Sequence, residues 1–178
     1  ADTVLRNAYR KGLLNLEDET FERYAFSSFS GLLDVTVMCE PERYRLFPEE
    51  TRRELDDWYF ASYLASLGEA EQPSADRVLS LEETLEHVDQ WEVPIWQNNC
   101  DCRTLAGHCQ NPINVCISIK SGINTISHRG GSKPLTKAEA KAIIREADAV
   151  GLVHTANPKG ICNCCSDCCY LMRAQRER

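Results

Sequence analysis

"LTKAEAKAIIREADAVGLVH", residues 135–154, governs how the second half of the chain is read. Thr136 with Glu139 three residues on is a capping box, which satisfies amides that the first turn of a helix leaves free. Gly151 suits the end of that helix, because a residue without a β-carbon enters the left-handed region at little cost. The chain then runs into a strand-like "LVH" and, a few residues later, into its densest group of cysteines. The same order occurs earlier. "LSLEETLEHVDQWEVPIW" (79–96) opens with Ser80 and Glu83, another capping box, and reaches a strand-like segment just before the first cysteine group. Helix, strand and cysteine cluster thus occur twice, with the caps Ser80 and Thr136 lying 56 residues apart.

Towards the N-terminus the character changes. "FPEETRRELDDWYFASYLASL" (47–67) predicts a helix: Pro48 suits its first turn, and Glu49 and Glu50 complement the positive end of its dipole. Leu55, Trp58, Tyr59, Ser62 and Tyr63 share one face at helical spacing and read as core. "ETFERYAFSSFSGLLDV" (19–35) predicts a second amphipathic helix packed on the first. The polar "GEAEQPSADR" (68–77), with its Gly and Pro, is the expected boundary. It divides an acidic helical region, 1–77, from a module over 78–178.

Residues 1–76 carry 16 acidic and 8 basic side chains, and 77–178 carry 11 and 12, within a net charge of −7. An acidic first half argues against nucleic acid, because phosphate contacts require clustered Lys and Arg. It reads as a solvated helical surface or as a docking face for a basic protein. At 178 residues, 43% hydrophobic and 26% charged, the chain is expected to be globular and cytoplasmic, with no membrane span. Its first residues, "ADTVLRNAYRKG", lack the layout of a signal peptide.

Ten cysteines are present, nine of them in two tight groups. The first is Cys100, Cys102, Cys109 and Cys116; the second is Cys162, Cys164, Cys165, Cys168 and Cys169. The chain has apolar residues enough for a core without disulfides. Adjacent residues, with α-carbons about 3.8 Å apart, are also closer than the roughly 4.4–6.8 Å that a disulfide spans. Cys164–Cys165 and Cys168–Cys169 are therefore poor internal bridges, and the thiols read as metal ligands. Cys162-x-x-Cys165-x-x-Cys168 has the spacing of the bacterial ferredoxin loop. Two-residue spacers turn successive sulfurs inward onto three corners of a cubane, and the fourth iron takes a distant cysteine. Zinc is the rival, with Cys100/Cys102 and Cys162/Cys165 as two knuckles, but it would leave other thiols idle.

"NCDCR" (99–103) with "CQNPINVC" (109–116), followed by "GLVHTANPKGICNCC" (151–165), resembles a family of ferredoxin-type 4Fe–4S proteins. Its members pair a Cys-x-Cys-Arg…Cys-x-x-Pro-x-x-x-Cys segment with a Cys-Asn-Cys-Cys-x-x-Cys-Cys segment. The resemblance covers about residues 78–171. It implies two [4Fe–4S] clusters and electron transfer between redox partners. The expected fold is α+β: a helical N-terminal region, then a ferredoxin-like two-cluster module. By ferredoxin logic Cys162, Cys165 and Cys168 take Cys116 for one cluster, and Cys102, Cys109 and Cys169 take Cys100 for the other. Cys164 is then the spare thiol, although Cys100 and Cys164 could exchange roles. Residues 1–67 would serve as the docking surface, for a free carrier or for an electron-donating subunit of a larger oxidoreductase. A zinc-stabilised interaction module is the remaining alternative.

Other candidates weigh less. Cys39, alone beside Met38, reads as an apolar residue. His108 precedes Cys109 and would be a substitute ligand, while His87 and His154 are expected on surfaces. Arg103 would either raise a cluster's potential or cap a local carbonyl. "NPKG" (157–160) is a turn, and "HRGGSKP" (128–134) reads as a flexible connection. No Ser–His–Asp set or phosphate loop is present, so no catalytic residue is expected.

Overall fold

The computed structural model describes residues 2–20, 23–67 and 77–177, so the expected boundary falls outside the described residues except for Arg77. Helix α1 (Asp2–Arg10) is followed by strand β1 (Leu14–Leu16), which pairs antiparallel with β2 (Tyr24–Phe26). The helix expected over 19–35 therefore starts late. Residues 24–26 are strand, and α2 (Phe29–Cys39) begins where the Ser28 hydroxyl accepts the Gly31 amide. Pro41 then opens the short α3 (Pro41–Arg45), and Glu49 and Glu50 sit in the first turn of α4 (Glu49–Ser66), as expected.

The buried face of α4 is rotated from the expected one. Trp58 is 41% exposed, while Asp56 is fully enclosed. Leu55, Tyr59, Phe60 and Tyr63 pack with Tyr170 from the far end of the chain. A carboxylate tolerates that position because Tyr170 and Arg173 both donate to it, at 2.9 and 2.8 Å.

From Arg77 onward the chain builds two β-α-β-β units. The first is β3 (Arg77–Leu79), α5 (Leu81–Asp89), β4 (Ile95–Asn98) and β5 (Cys116–Ser118). The second is β6 (Lys133–Leu135), α7 (Lys137–Ala149), β7 (Val153–Asn157) and β8 (Gly160–Cys164). Both capping boxes form. All pairings are antiparallel, in the order β3-β7-β8-β5-β4-β6. Each unit keeps its own hairpin and sends its first strand to the far edge of the other. The repeat in the sequence is thus a pair of interleaved units, with β5 and β8 meeting at the centre. Helices α5 and α7 lie together over one core that includes Val88, Ile95, Ile117, Ala140, Ile144 and Ile161.

Two short helices, α6 (Asp101–Ala106) and α8 (Tyr170–Glu177), carry the N-terminal region. Leu33, Val37 and Tyr44 pack with Leu105 and Tyr170. The molecule is α+β, as expected. "HRGGSKP" is not a free connection, however. Arg129 is buried and donates to the carbonyls of Tyr9 and Leu14 and to the Asn15 side chain. Asn124 pairs with both backbone groups of Leu16 at 2.8 Å. Residues 124–129 thereby strap the N-terminal hairpin to the cysteine module.

Candidate metal centre

The pleat of β8 sorts its side chains. Cys162 and Cys164 point to one face and Asn163 to the other. Asn163 is fully buried: its Nδ2 donates to the Val115 carbonyl and its Oδ1 lies 2.6 Å from His154 Nδ1. Its own carbonyl accepts Arg103 Nη2 at 2.7 Å. Asn163 is therefore a clamp, locking β8 to the segment before β5 and to α6. Cys116 opens β5. Cys100 caps α6, its sulfur accepting the Arg103 amide at 3.4 Å. Cys169 precedes α8, its carbonyl accepting the Arg173 amide at 2.9 Å, and the nearby amides of Met172 and Leu171 help to lower its thiol.

These segments bring six sulfurs together. Cys102, Cys100, Cys116, Cys162, Cys164 and Cys169 all line one cavity, each close enough to the next to shift its acidity. The charge of Cys169 acting on Cys102 closes the ring. It surrounds a cavity of about 280 Å³, walled on one side by Tyr59, Tyr63 and Tyr170. Asp101 is the one acidic side chain of that wall among the described residues.

The other three sulfurs form their own group. Cys109 Sγ lies 3.6 Å from Cys165 Sγ and 3.6 Å from Cys168 Sγ, with all three within 4.8 Å of one another. Cys165 and Cys168 also reach the wall of the same cavity. The grouping differs from the expected one. Cys162 stands with Cys116, while Cys165 and Cys168 turn to Cys109. Cys100, Cys102 and Cys169 stand together, without Cys109. Strand β8 accounts for the difference: it stays extended through Cys164, so the tight loop that would turn Cys162 and Cys165 onto one centre starts too late. Cys164, the expected spare, is a buried member of the ring. Cys39 stands apart from both groups, half-buried at the end of α2, with its sulfur against Gly131.

Charge is arranged around these thiols. In the ring Cys100, Cys162 and Cys169 are pushed down by S–H donation from Cys102, Cys116 and Cys164 respectively, and those three donors are pushed up in return. Burial also raises Cys168, whereas at Cys165 burial is outweighed by the Arg103 guanidinium and the Cys168 amide. Arg103 is 2% exposed. It serves the expected capping role, since its Nη1 and Nη2 donate to the carbonyls of Pro112 and Asn163, and its charge lies beside Cys100, Cys165 and Cys116. Desolvation, then Cys100, pushes Asp101 up to about 7.

No family model, curated protein or solved structure matches the chain. The histidines settle into supporting positions. His108 Nδ1 lies 3.1 Å from the Asp167 carbonyl and its Nε2 lies 3.4 Å from Asp56. His154, expected at a surface, is 3% exposed between Asn163 and Asp148. Sequence reasoning missed Asn163, Asp56 and Tyr170 as organisers of the site. The position of Asn163 between Cys162 and Cys164 was the available signal: on a strand, a polar residue alternating with ligands must find partners on the opposite face.

Proposed function

We propose that the chain is an iron–sulfur protein that relays single electrons between protein partners, holding a [4Fe–4S] cluster with four of the six ring cysteines, Cys116 and Cys162 among them. The observation that carries this reading is the convergence of six sulfurs around one cavity. Clustered thiolates select soft centres, zinc or iron–sulfur. One tetrahedral zinc takes four ligands, so six thiols around a single volume suit a group with several irons better. Helix-terminal amides at Cys100 and Cys169, together with buried Arg103, favour the thiolate form that such a group needs. The tyrosine wall limits the access of water.

The resemblance implies two clusters; the second would have to draw on Cys109, Cys165 and Cys168, one thiol short of a set of four. A partner would dock on the N-terminal region, where Phe26, Phe29, Leu46 and Trp58 are exposed. The same surface suits a subunit of a larger oxidoreductase. The test is the iron and acid-labile sulfide content of anaerobically purified protein, set beside a Cys116→Ser/Cys162→Ser variant. About four irons and four sulfides per chain, lost in the variant, support the reading. A sulfide-free, zinc-loaded preparation returns the chain to a zinc-stabilised module.

A further inference from the structure

The two cysteine groups differ in scale. In a cubane each terminal thiolate bonds a different iron, so the thiolates stand well apart. Around a single tetrahedral ion all of them touch one atom. With metal–sulfur bonds of roughly 2.3 Å, tetrahedral geometry places neighbouring sulfurs about 3.8 Å apart. Cys109 lies 3.6 Å from both Cys165 and Cys168. The three come from two segments, residues 107–110 after α6 and the turn between β8 and α8, which His108 ties to each other. His108 fixes the first through Asp56 and the Asp167 carbonyl, and the Asn163 clamp fixes the second.

We propose that Cys109, Cys165 and Cys168 form a separate site for one thiophilic divalent ion of the zinc class. The proposal rests on the iron–sulfur reading only in assigning the other six thiols elsewhere. Three thiolates on a divalent ion leave one net negative charge, and Arg103 stands beside Cys165 to balance it. No fourth protein donor joins the three among the described residues. Both nitrogens of His108 are engaged elsewhere. Cys109 does, however, line a cavity of about 450 Å³ together with Arg45, Arg52 and Arg103. The fourth coordination position therefore belongs to water or a small anion. Binding releases the protons of whichever thiols were not already ionised.

The test uses full-length protein loaded with iron and sulfide, desalted anaerobically and titrated with Co²⁺ as a spectroscopic substitute for zinc. One equivalent should bind, with intense thiolate-to-cobalt charge-transfer absorption. In Cys109→Ser the affinity should fall by more than the roughly tenfold that losing an outer-shell partner costs, with sulfide content unchanged. Cys109 is half-exposed, and circular dichroism checks that this variant folds. Cys168→Ser is the second variant and should behave alike. In Cys116→Ser/Cys162→Ser the cobalt signal should persist while sulfide is lost. If the iron–sulfur reading alone is wrong, wild-type protein lacks sulfide yet still binds cobalt. Absence of charge-transfer absorption in wild-type protein, or loss of sulfide in Cys109→Ser, would overturn the proposal.

Discussion

Replacing Arg103 with Ala removes a cation buried among the thiols and takes a donor from each of the Pro112 and Asn163 carbonyls. The cost expected for removing one partner from a buried charged network is about 3 kcal/mol, read as a lower urea midpoint of the reduced protein. Backbone demands are equally local. Gly160 has φ +145°, and a β-carbon there would sit 2.0 Å from the Ile117 carbonyl oxygen, across the central β5–β8 pair. Gly151, at φ +79°, has open space around it. Gly160→Ala should therefore cost at least ~3 kcal/mol through strain and a broken pairing, and Gly151→Ala only ~1 kcal/mol, as compared by thermal unfolding. At this scale the convergence of the clustered cysteines was legible from their spacing, whereas their grouping was not. Whether Cys162 shares a centre with Cys165 depends on where a strand ends, and spacing alone is silent on that.

Elements with a strong local signal were legible. The capping boxes at Ser80 and Thr136 form as read, and α4 begins at its acidic turn. Strand β2 was lost inside a helical reading because Tyr24–Phe26 pairs with residues about ten positions earlier. Helices α6 and α8 were missed because cysteine, which is not among the favoured capping residues, starts both. The capping boxes make a prediction about acid stability. Hydrogen bonding to Ser80 and Thr136 holds Glu83 and Glu139 below the ordinary 4.5. Their contribution is present above that value and is lost as the pH falls through the lowered one. Gln accepts the same hydrogen bonds without titrating. Glu83→Gln/Glu139→Gln should thus melt slightly below wild type near neutrality, converge with it in acid, and show the flatter decline of melting temperature between the two.

The whole molecule encloses the thiols between two distant parts of the chain. Asp56, on α4, receives Tyr170 and Arg173 from α8 and lies 3.4 Å from His108 beside Cys109. Asp56→Ala leaves Arg173 without its carboxylate partner and is expected to cost about 3 kcal/mol. It should also loosen the tyrosine wall, so that the ring thiols of metal-free protein alkylate faster than in wild type. The interleaving of the two units could not be read from the sequence. A repeat fixes what each unit contains, whereas exchange of β3 and β6 is a choice between long-range pairings of similar local character. That exchange places β5 and β8 side by side, and with them Cys116 against Cys162. The most direct test of an iron–sulfur centre in that ring is electron paramagnetic resonance of the anaerobically purified, chemically reduced protein. A fast-relaxing, odd-electron iron–sulfur signal that disappears in Cys116→Ser/Cys162→Ser is the predicted result. A colourless, signal-free protein whose thiols hold only zinc or are joined as disulfides would contradict it.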